Sequence, residues 1–380
     1  MQLKAGLSED QFKSIQPKHL NFGLRSKNSC ETMSIRCLAA YHNLVFDTDG
    51  QVRICCNSSQ ALEVEGPLDQ ALTSPRAAII QQDLDNGQHH PNCDQCWREE
   101  RNGDRSYRHS YNEMYPNFDW SPQLKTAHVQ CDNTCNLTCV YCGPKFSSSW
   151  ASLLDVRDGY RSPLQFSDHT LSGLDMITLA GGEPTLSKPN AEILARLLTI
   201  NPDCEVIVNT NLTQPLDSGV SLLLQKFSRS KIIASFESTQ NRFEYIRHRA
   251  KWENFSNNLI AVKNQVQTLQ ANMIFFPLSA GAIDQTLDWA LEHINPAEIY
   301  LNDYHGDALT WNRVGKPQLD NMVDKILKYA DTAPINLAQE LRSKCQQMQS
   351  DQTQTNMPWL DNFDKLTNQD HKSIFSELYQ

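Results

Sequence analysis

Cys135-Asn136-Leu137-Thr138-Cys139-Val140-Tyr141-Cys142 places three cysteines within eight residues, in the spacing C-x3-C-x2-C. Thiolates at this density suit a metal better than a disulfide, because soft sulfur ligands favour iron–sulfur clusters or zinc. A 4Fe–4S cubane takes four cysteines, one per iron. A loop that offers three leaves one iron open to another ligand. A structural zinc site draws its four ligands from paired C-x2-C knuckles, whereas this loop supplies a triplet. A disulfide framework belongs to small secreted domains, and a chain of 380 residues is not small.

Outward from this loop the text alternates between strand and helix, the signature of an α/β fold. Thr126 to Gln130 reads as a strand entering the loop, and Ser147 to Val156 as the helix leaving it. Strands are expected at Asp175–Ala180, Glu205–Asn209, Lys231–Phe236, Leu269–Phe276 and Glu298–Asn302. Helices are expected at Asn190–Thr199, Val220–Phe227, Trp252–Val266 and Ile283–Ile294. Six such repeats suit a parallel sheet curled into a partial (β/α)6, TIM-like barrel. In barrels the active site lies at the C-terminal ends of the strands. The alternation stops near residue 305, and Pro317–Tyr329 and Ile335–Gln347 read as helices of a C-terminal extension.

Several motifs fall at strand ends. Gly181-Gly182-Glu183-Pro184 follows the second strand, and its glycines allow close backbone approach. Asn209-Thr210-Asn211 ends the third strand, where a hydrogen-bonded turn explains it as well as a ligand contact does. Ser235-Phe236-Glu237 ends the fourth, with Arg247 and Arg249 beyond it. The three-cysteine loop, with Tyr141 before its last cysteine, and the Gly-Gly-Glu-Pro run together resemble the radical S-adenosylmethionine (SAM) enzymes.

The resemblance implies that Cys135, Cys139 and Cys142 hold a 4Fe–4S cluster whose open iron is chelated by the amino and carboxylate groups of SAM. One electron then cleaves SAM to methionine and a 5′-deoxyadenosyl radical. By the same resemblance, Gly181, Gly182, Glu183 and Pro184 hold the SAM amino group, with Glu183 as the anionic partner of the ammonium. Asn209 lines the ribose or the substrate, and Tyr141 sits near the adenine. Asn211 stands where a glycine is common. Ser235, Glu237 and Arg247 resemble a Ser-x-Asp and later Arg of peptide-modifying relatives, which contact the SAM ribose and carboxylate. Glu237 replaces the aspartate and lengthens the reach by a methylene. Arg247 is expected to pair bidentately with the SAM carboxylate, with Arg249 as the near alternative. Asn272 and Met273 are weaker candidates, since a core strand explains Met273.

Upstream, Tyr41–Phe46 and Val52–Ile54 are rich in strand formers, and Asp47-Thr48-Asp49-Gly50 between them is turn chemistry. Cys37 precedes this expected β-hairpin, Cys55-Cys56 follow it, and Cys93-Asp94-Gln95-Cys96 adds a C-x2-C. Hairpin cysteines plus this pair make four ligands, enough for a closed site. The arrangement resembles the SPASM or twitch modules that carry auxiliary clusters in many radical SAM enzymes. Their Gly-x4-Cys matches Gly50 to Cys55, so Cys55 is preferred to Cys56. Trp97, Gly103 and Ser106-Tyr107-Arg108 add to the likeness. The module here precedes the barrel, whereas it usually follows. The resemblance implies a second, auxiliary 4Fe–4S cluster on Cys37, Cys55, Cys93 and Cys96. Softness does not separate iron–sulfur from zinc, so structural zinc stays open. Cys30, Cys131, Cys204 and Cys345 are expected as unligated thiols, and the aromatics from Tyr107 to Trp120 as packing.

The chain is 39% hydrophobic and 21% charged, as a soluble globular protein of two or three domains should be. Its net charge of −10 counts against binding nucleic acid through bulk charge. No apolar run reaches the roughly 18 residues of a membrane span, and the first residues lack the apolar core of a signal peptide. Twelve cysteines are therefore expected as ligands and reduced thiols in the cytoplasm. The expected organisation is an auxiliary-cluster domain over 1–122, a radical SAM core over 123–305 and a helical cap over 306–380. The expected activity is hydrogen-atom abstraction from a peptide or protein side chain, served by an electron donor such as flavodoxin or ferredoxin. A small metabolite, a sugar or a nucleobase is the alternative substrate. A non-catalytic iron–sulfur or zinc protein is the alternative class.

Overall fold

Runs of apolar residues that are buried on both faces pair best in a parallel sheet covered by helices. The computed structural model describes residues 35–64, 68–101, 105–156, 166–217 and 219–380. Cys30 and Gly103 lie outside the described residues. Eight strands form one sheet: β1 (Asn43–Phe46), β2 (Val52–Arg53), β3 (Thr126–Val129), β4 (Met176–Leu179), β5 (Glu205–Thr210), β6 (Ser230–Ser235), β7 (Thr268–Phe275) and β8 (Ile299–Asp303). Their spatial order is β2-β1-β3-β4-β5-β6-β7-β8. The six strands from β3 to β8 run parallel, each beside the next in sequence. This is the expected (β/α)6 partial barrel, an open sheet with β2 and β8 at its edges. The edge of β8 is covered: Leu301 N–H donates to Glu340 Oε1 at 3.0 Å.

The N-terminal hairpin is where the sheet differs from expectation. It is continuous with the barrel across residue 122. β1 runs parallel to β3 in the register Asn43↔Thr126 to Phe46↔Val129, and β2 pairs antiparallel outside it. All four residues of β1 are buried, as a strand covered on both faces requires. Tyr41 and His42, expected in the strand, end a short helix at Ala39–His42 instead. Asn43 locks the junction. Its Oδ1 accepts from Thr126 Oγ1 at 2.8 Å and its Nδ2 donates to the Ile54 carbonyl at 2.9 Å. The expected turn aspartates and glycine are thereby carried to the C-terminal end of the barrel strands.

Helices follow β3, β4, β5 and β7 at Ser148–Leu154, Lys188–Ile200, Gly219–Leu224 and Ile283–His293. Two follow β6, at Gln240–Ile246 and Trp252–Val262, and the first of these was not expected. Ser147 and Ser187 accept backbone N–H groups at two of the helix starts, the usual role of an N-cap serine. The C-terminal extension, with helices at Lys316–Ala330, Ile335–Gln347 and Pro358–Thr367, packs behind the cysteine loop. Trp359 Nε1–H donates to the Val140 carbonyl at 2.8 Å, and Trp150 Nε1–H to the Cys139 carbonyl at 3.0 Å. The tail also grips the helix Gln240–Ile246, through Arg242–Glu377 and through Tyr245 Oη–H donating to Asp364 at 2.7 Å.

Candidate active site

The loop between β3 and the helix Ser148–Leu154 must turn three thiols inward while keeping its own peptide groups satisfied. Three consecutive serines do this. Ser147 Oγ–H donates to the Leu137 carbonyl at 2.6 Å, Ser149 Oγ–H donates to the Cys135 carbonyl at 2.8 Å, and Ser148 Oγ accepts from Cys135 N–H at 3.1 Å. On the other side Thr138 N–H and Val140 N–H donate to the carbonyls of His248 and Ile246, at 3.1 and 2.8 Å. The result is a cavity of about 480 Å³, lined by Cys135, Cys139 and Cys142 together with Tyr141, Gly181, Gly182, Asn209, Ser235, Glu237 and Arg247. Asn272 lines it as well, whereas Met273, Pro184 and Arg249 are not part of its lining. Arg249 is exposed, with φ +77°.

The glycine pair touches its own chain. Gly182 N–H donates to the Asp132 carbonyl at 3.3 Å and Glu183 N–H to the Thr134 carbonyl at 2.7 Å. A Cβ at Gly182 would overlap the Thr134 carbonyl oxygen, and one at Gly181, where φ is +109°, would come within 2.9 Å of the Asp132 carbonyl oxygen. Here glycine is required so that the turn can press against the segment entering the cysteine loop. Asp132 reinforces that seam: its carboxylate accepts from Ser187 Oγ at 2.8 Å and from Thr134 N–H at 2.9 Å.

Glu183 lies behind the cavity wall, 1% exposed. Its carboxylate accepts from Thr185 Oγ1 and Thr210 Oγ1, both at 2.6 Å, and from the N–H groups of Thr185 and Asn211 at 3.1 and 2.7 Å. Burial raises its pKa, and these four hydrogen bonds work against that rise. In this geometry Glu183 fastens the end of β5 to the glycine turn. Asn211, standing where a glycine is common, is also tied down. Its Nδ2 donates to Asn136 Oδ1 at 3.0 Å, and Asn136 Nδ2 donates to Thr213 Oγ1 at 2.9 Å. Sequence reading singled out these amides without finding this link between the cysteine loop and β5.

Glu237 and Arg247 meet each other. The guanidinium donates through Nε and Nη2 to the two Glu237 oxygens at 2.8 and 2.6 Å, and Tyr141 Oη–H donates to Glu237 Oε1 at 2.9 Å. Arg247 is 5% exposed and Glu237 1%. Burial works against the guanidinium's charge; the Glu237 carboxylate outweighs it, and the arginine pKa sits above its ordinary value. Two of the five guanidinium N–H groups are used in the fork, leaving three directed elsewhere. Ser235 Oγ–H donates to Asn209 Oδ1 at 2.9 Å on the neighbouring strand end.

The far wall comes from the hairpin and β3: Asp47, Arg53, Cys56, His128, Gln130 and Lys145 all line the same cavity. None was expected there, because the hairpin reads as a separate unit until it is paired with β3. The charges on this wall match one another. Asp47 pairs with Arg53 and, at 3.5 Å, with Lys145, which also reaches Asp49 at 3.2 Å. Burial pushes His128 down to about 4, against the pull of Asp47, so the ring is neutral at pH 7.

The other cysteines gather beside this wall. Cys55 lies within electrostatic range of Cys37, Cys93 and Cys96; Cys93 of Cys37 and Cys96; and Cys37 of Cys96. Cys56 is a fifth thiol, near Cys55 and Cys96. Burial pushes Cys37 and Cys56 up to about 12, which leaves them neutral until a cation draws off their protons. Among the described residues no three His, Cys, Asp or Glu side chains close around a single-ion position. A cubane spreads its thiolates over four separate irons; the second set has the number and chemistry for all four, and the triplet for three with one iron left open. Cys131, Cys204 and Cys345 are buried and free, with none of them in the cavity lining. No described helix is long and apolar enough to cross a membrane.

No curated protein matches the chain. Among solved structures it is similar to native anSMEcpe with bound AdoMet, at 14% identity over 47% of this chain and 52% of that one, with a TM-score of 0.36. It is also similar to Streptococcus suis SuiB bound to S-adenosylmethionine, at 12% identity over 76% and 67% with a TM-score of 0.38. For SuiB bound to precursor peptide SuiA the figures are 11%, 76%, 70% and 0.39. The chain thus spans about half the length of the first of these structures. Residues 130–290 match the family model of the Radical SAM superfamily. That span, less than half of the chain, holds the three-thiol loop, the glycine turn and the Glu237–Arg247 pair, and it is this part of the chain that is similar to the radical SAM superfamily.

Proposed function

We propose that this chain is a radical SAM enzyme acting on a peptide or protein side chain. The observation that carries the reading is convergence: three thiols, the glycine turn, Asn209, Ser235 and the Glu237–Arg247 pair, drawn from five strand ends or loops, line one cavity. In this reading Cys135, Cys139 and Cys142 hold a 4Fe–4S cluster. When bound, the cluster supplies the electron that cleaves SAM to methionine and a 5′-deoxyadenosyl radical, which takes a hydrogen atom from the substrate. The protein's part is to bind, orient and exclude water. The backbone of Gly181 and Gly182 offers contacts for the SAM amino group, with Glu183 and Pro184 shaping the turn from behind. Asn209 and Ser235 suit the ribose hydroxyls, Tyr141 the adenine side, and the outward N–H groups of Arg247 the SAM carboxylate.

The far wall supports a peptide. Its charges are matched and His128 is neutral, which suits a polar, uncharged segment better than a phosphorylated metabolite. The auxiliary-module likeness points the same way. We further propose that Cys37, Cys55, Cys93 and Cys96 hold a second 4Fe–4S cluster, with Cys56 unligated, and that a small reducing protein of the flavodoxin or ferredoxin class supplies electrons. Anaerobically purified, reduced protein incubated with SAM is expected to release 5′-deoxyadenosine, and a Cys135→Ala variant to release none. Equal amounts from both would leave a non-catalytic metal protein as the better reading.

A further inference from the structure

Arg247 is a buried cation in the catalytic cavity, and the backbone fixes what it faces. The bonds Thr138 N–H to His248 O and Val140 N–H to Ile246 O join two segments that run in opposite directions. Cys139 lies between the two bonds on one segment and Arg247 between them on the other, just past the end of the helix Gln240–Ile246, so the two residues sit on adjoining backbone. Both line the cavity, as do Cys135 and Cys142. The guanidinium is held above the Tyr141 ring, 5.8 Å from its centroid, by the fork to Glu237.

Its counter-ion is fixed on the same wall: the Glu237 carboxylate lines the cavity with the three thiols and is 1% exposed. The fork on Glu237 holds Arg247 in place without help from a bound ligand.

We propose that Arg247, partly offset by Glu237, is the fixed counter-charge that sets the reduction potential of the cluster on Cys135, Cys139 and Cys142. This rests on the reading of those cysteines given under Proposed function. A nearby cation in a dry site favours the form carrying one more electron. Arg247 thus acts as a positioning residue for charge, in addition to any hydrogen bond it gives to SAM.

The test is an EPR-monitored redox titration of the loaded enzyme without SAM, followed at the signal that disappears in Cys135→Ala. Glu237→Gln keeps an acceptor for the guanidinium and removes the opposing charge, so the midpoint moves to more positive potential. Arg247→Gln moves it to more negative potential. Each change is expected to alter the reduced fraction at a fixed potential at least tenfold, which is about 59 mV for one electron. Arg247→Lys keeps the charge and stays near the parent. If Arg247→Gln fails to hold its cluster, Glu237→Gln against Arg247→Lys decides. A Glu237→Gln midpoint equal to the parent's overturns the proposal. A parent without iron and sulfide at the triplet overturns instead the reading on which it rests.

Discussion

A protein with Cys135, Cys139 and Cys142 all replaced by alanine is expected to keep about four irons and four sulfides per chain and to lose 5′-deoxyadenosine formation entirely. The two cysteine sets belong to different segments: the first to the loop after β3, the second to the hairpin, the helix start at Ala39 and the pair at Cys93 and Cys96. The second set has its own supports. Asn57 Nδ2–H donates to Cys96 Sγ at 3.7 Å. Arg108 grips Glu100 at 3.0 and 2.8 Å beside them, with its guanidinium 5.3 Å from the Trp97 ring centroid. Removing the first set touches none of these. Iron and sulfide analysis checks the outcome. Zinc without sulfide in the triple variant would make the hairpin site structural, and no metal at all would remove the second site.

Glu237→Ala is expected to destabilise the loaded protein by about 3–5 kcal/mol, because it leaves a buried guanidinium without its partner. The pair is almost wholly shielded from solvent, with side chains 7% and 1% exposed, so surface screening does not soften the loss. Tyr141 loses its acceptor in the same change. A second substitution, Arg247→Met, removes the stranded charge and fills the space with an apolar chain; most of the stability is expected to return. Denaturant midpoints of the two variants and the parent check this. A single variant as stable as the parent, or a double variant no better than the single, would show that the pair is not a buried, mutually dependent unit.

The barrel was legible because its signals are local. Apolar runs such as Ile232–Ala234, set between helical stretches, read as covered strands without help from distant residues. The thiol triplet was legible because its chemistry lies in eight consecutive residues. What the sequence concealed depends on pairing across long separations. Nothing local tells β1 to join β3, about 80 residues away, although its unbroken apolar character was a clue to a parallel, doubly covered strand. With that pairing unseen, Asp47, Arg53 and Lys145 could not be placed in the cavity. Glu183 was read as facing a ligand. Its observed partners are Thr185, Thr210, Asn211 and the Thr134 carbonyl, which side-chain chemistry alone cannot choose over a bound molecule.

The most direct measurement of an iron with a vacant site beside the glycine turn is the EPR spectrum of the reduced protein before and after SAM is added. The triplet-bound cluster is expected to change its signal on addition of SAM, and the change to vanish in Cys135→Ala. A cluster that is present and reduced, yet whose spectrum is unaltered by saturating SAM, would contradict the site described here.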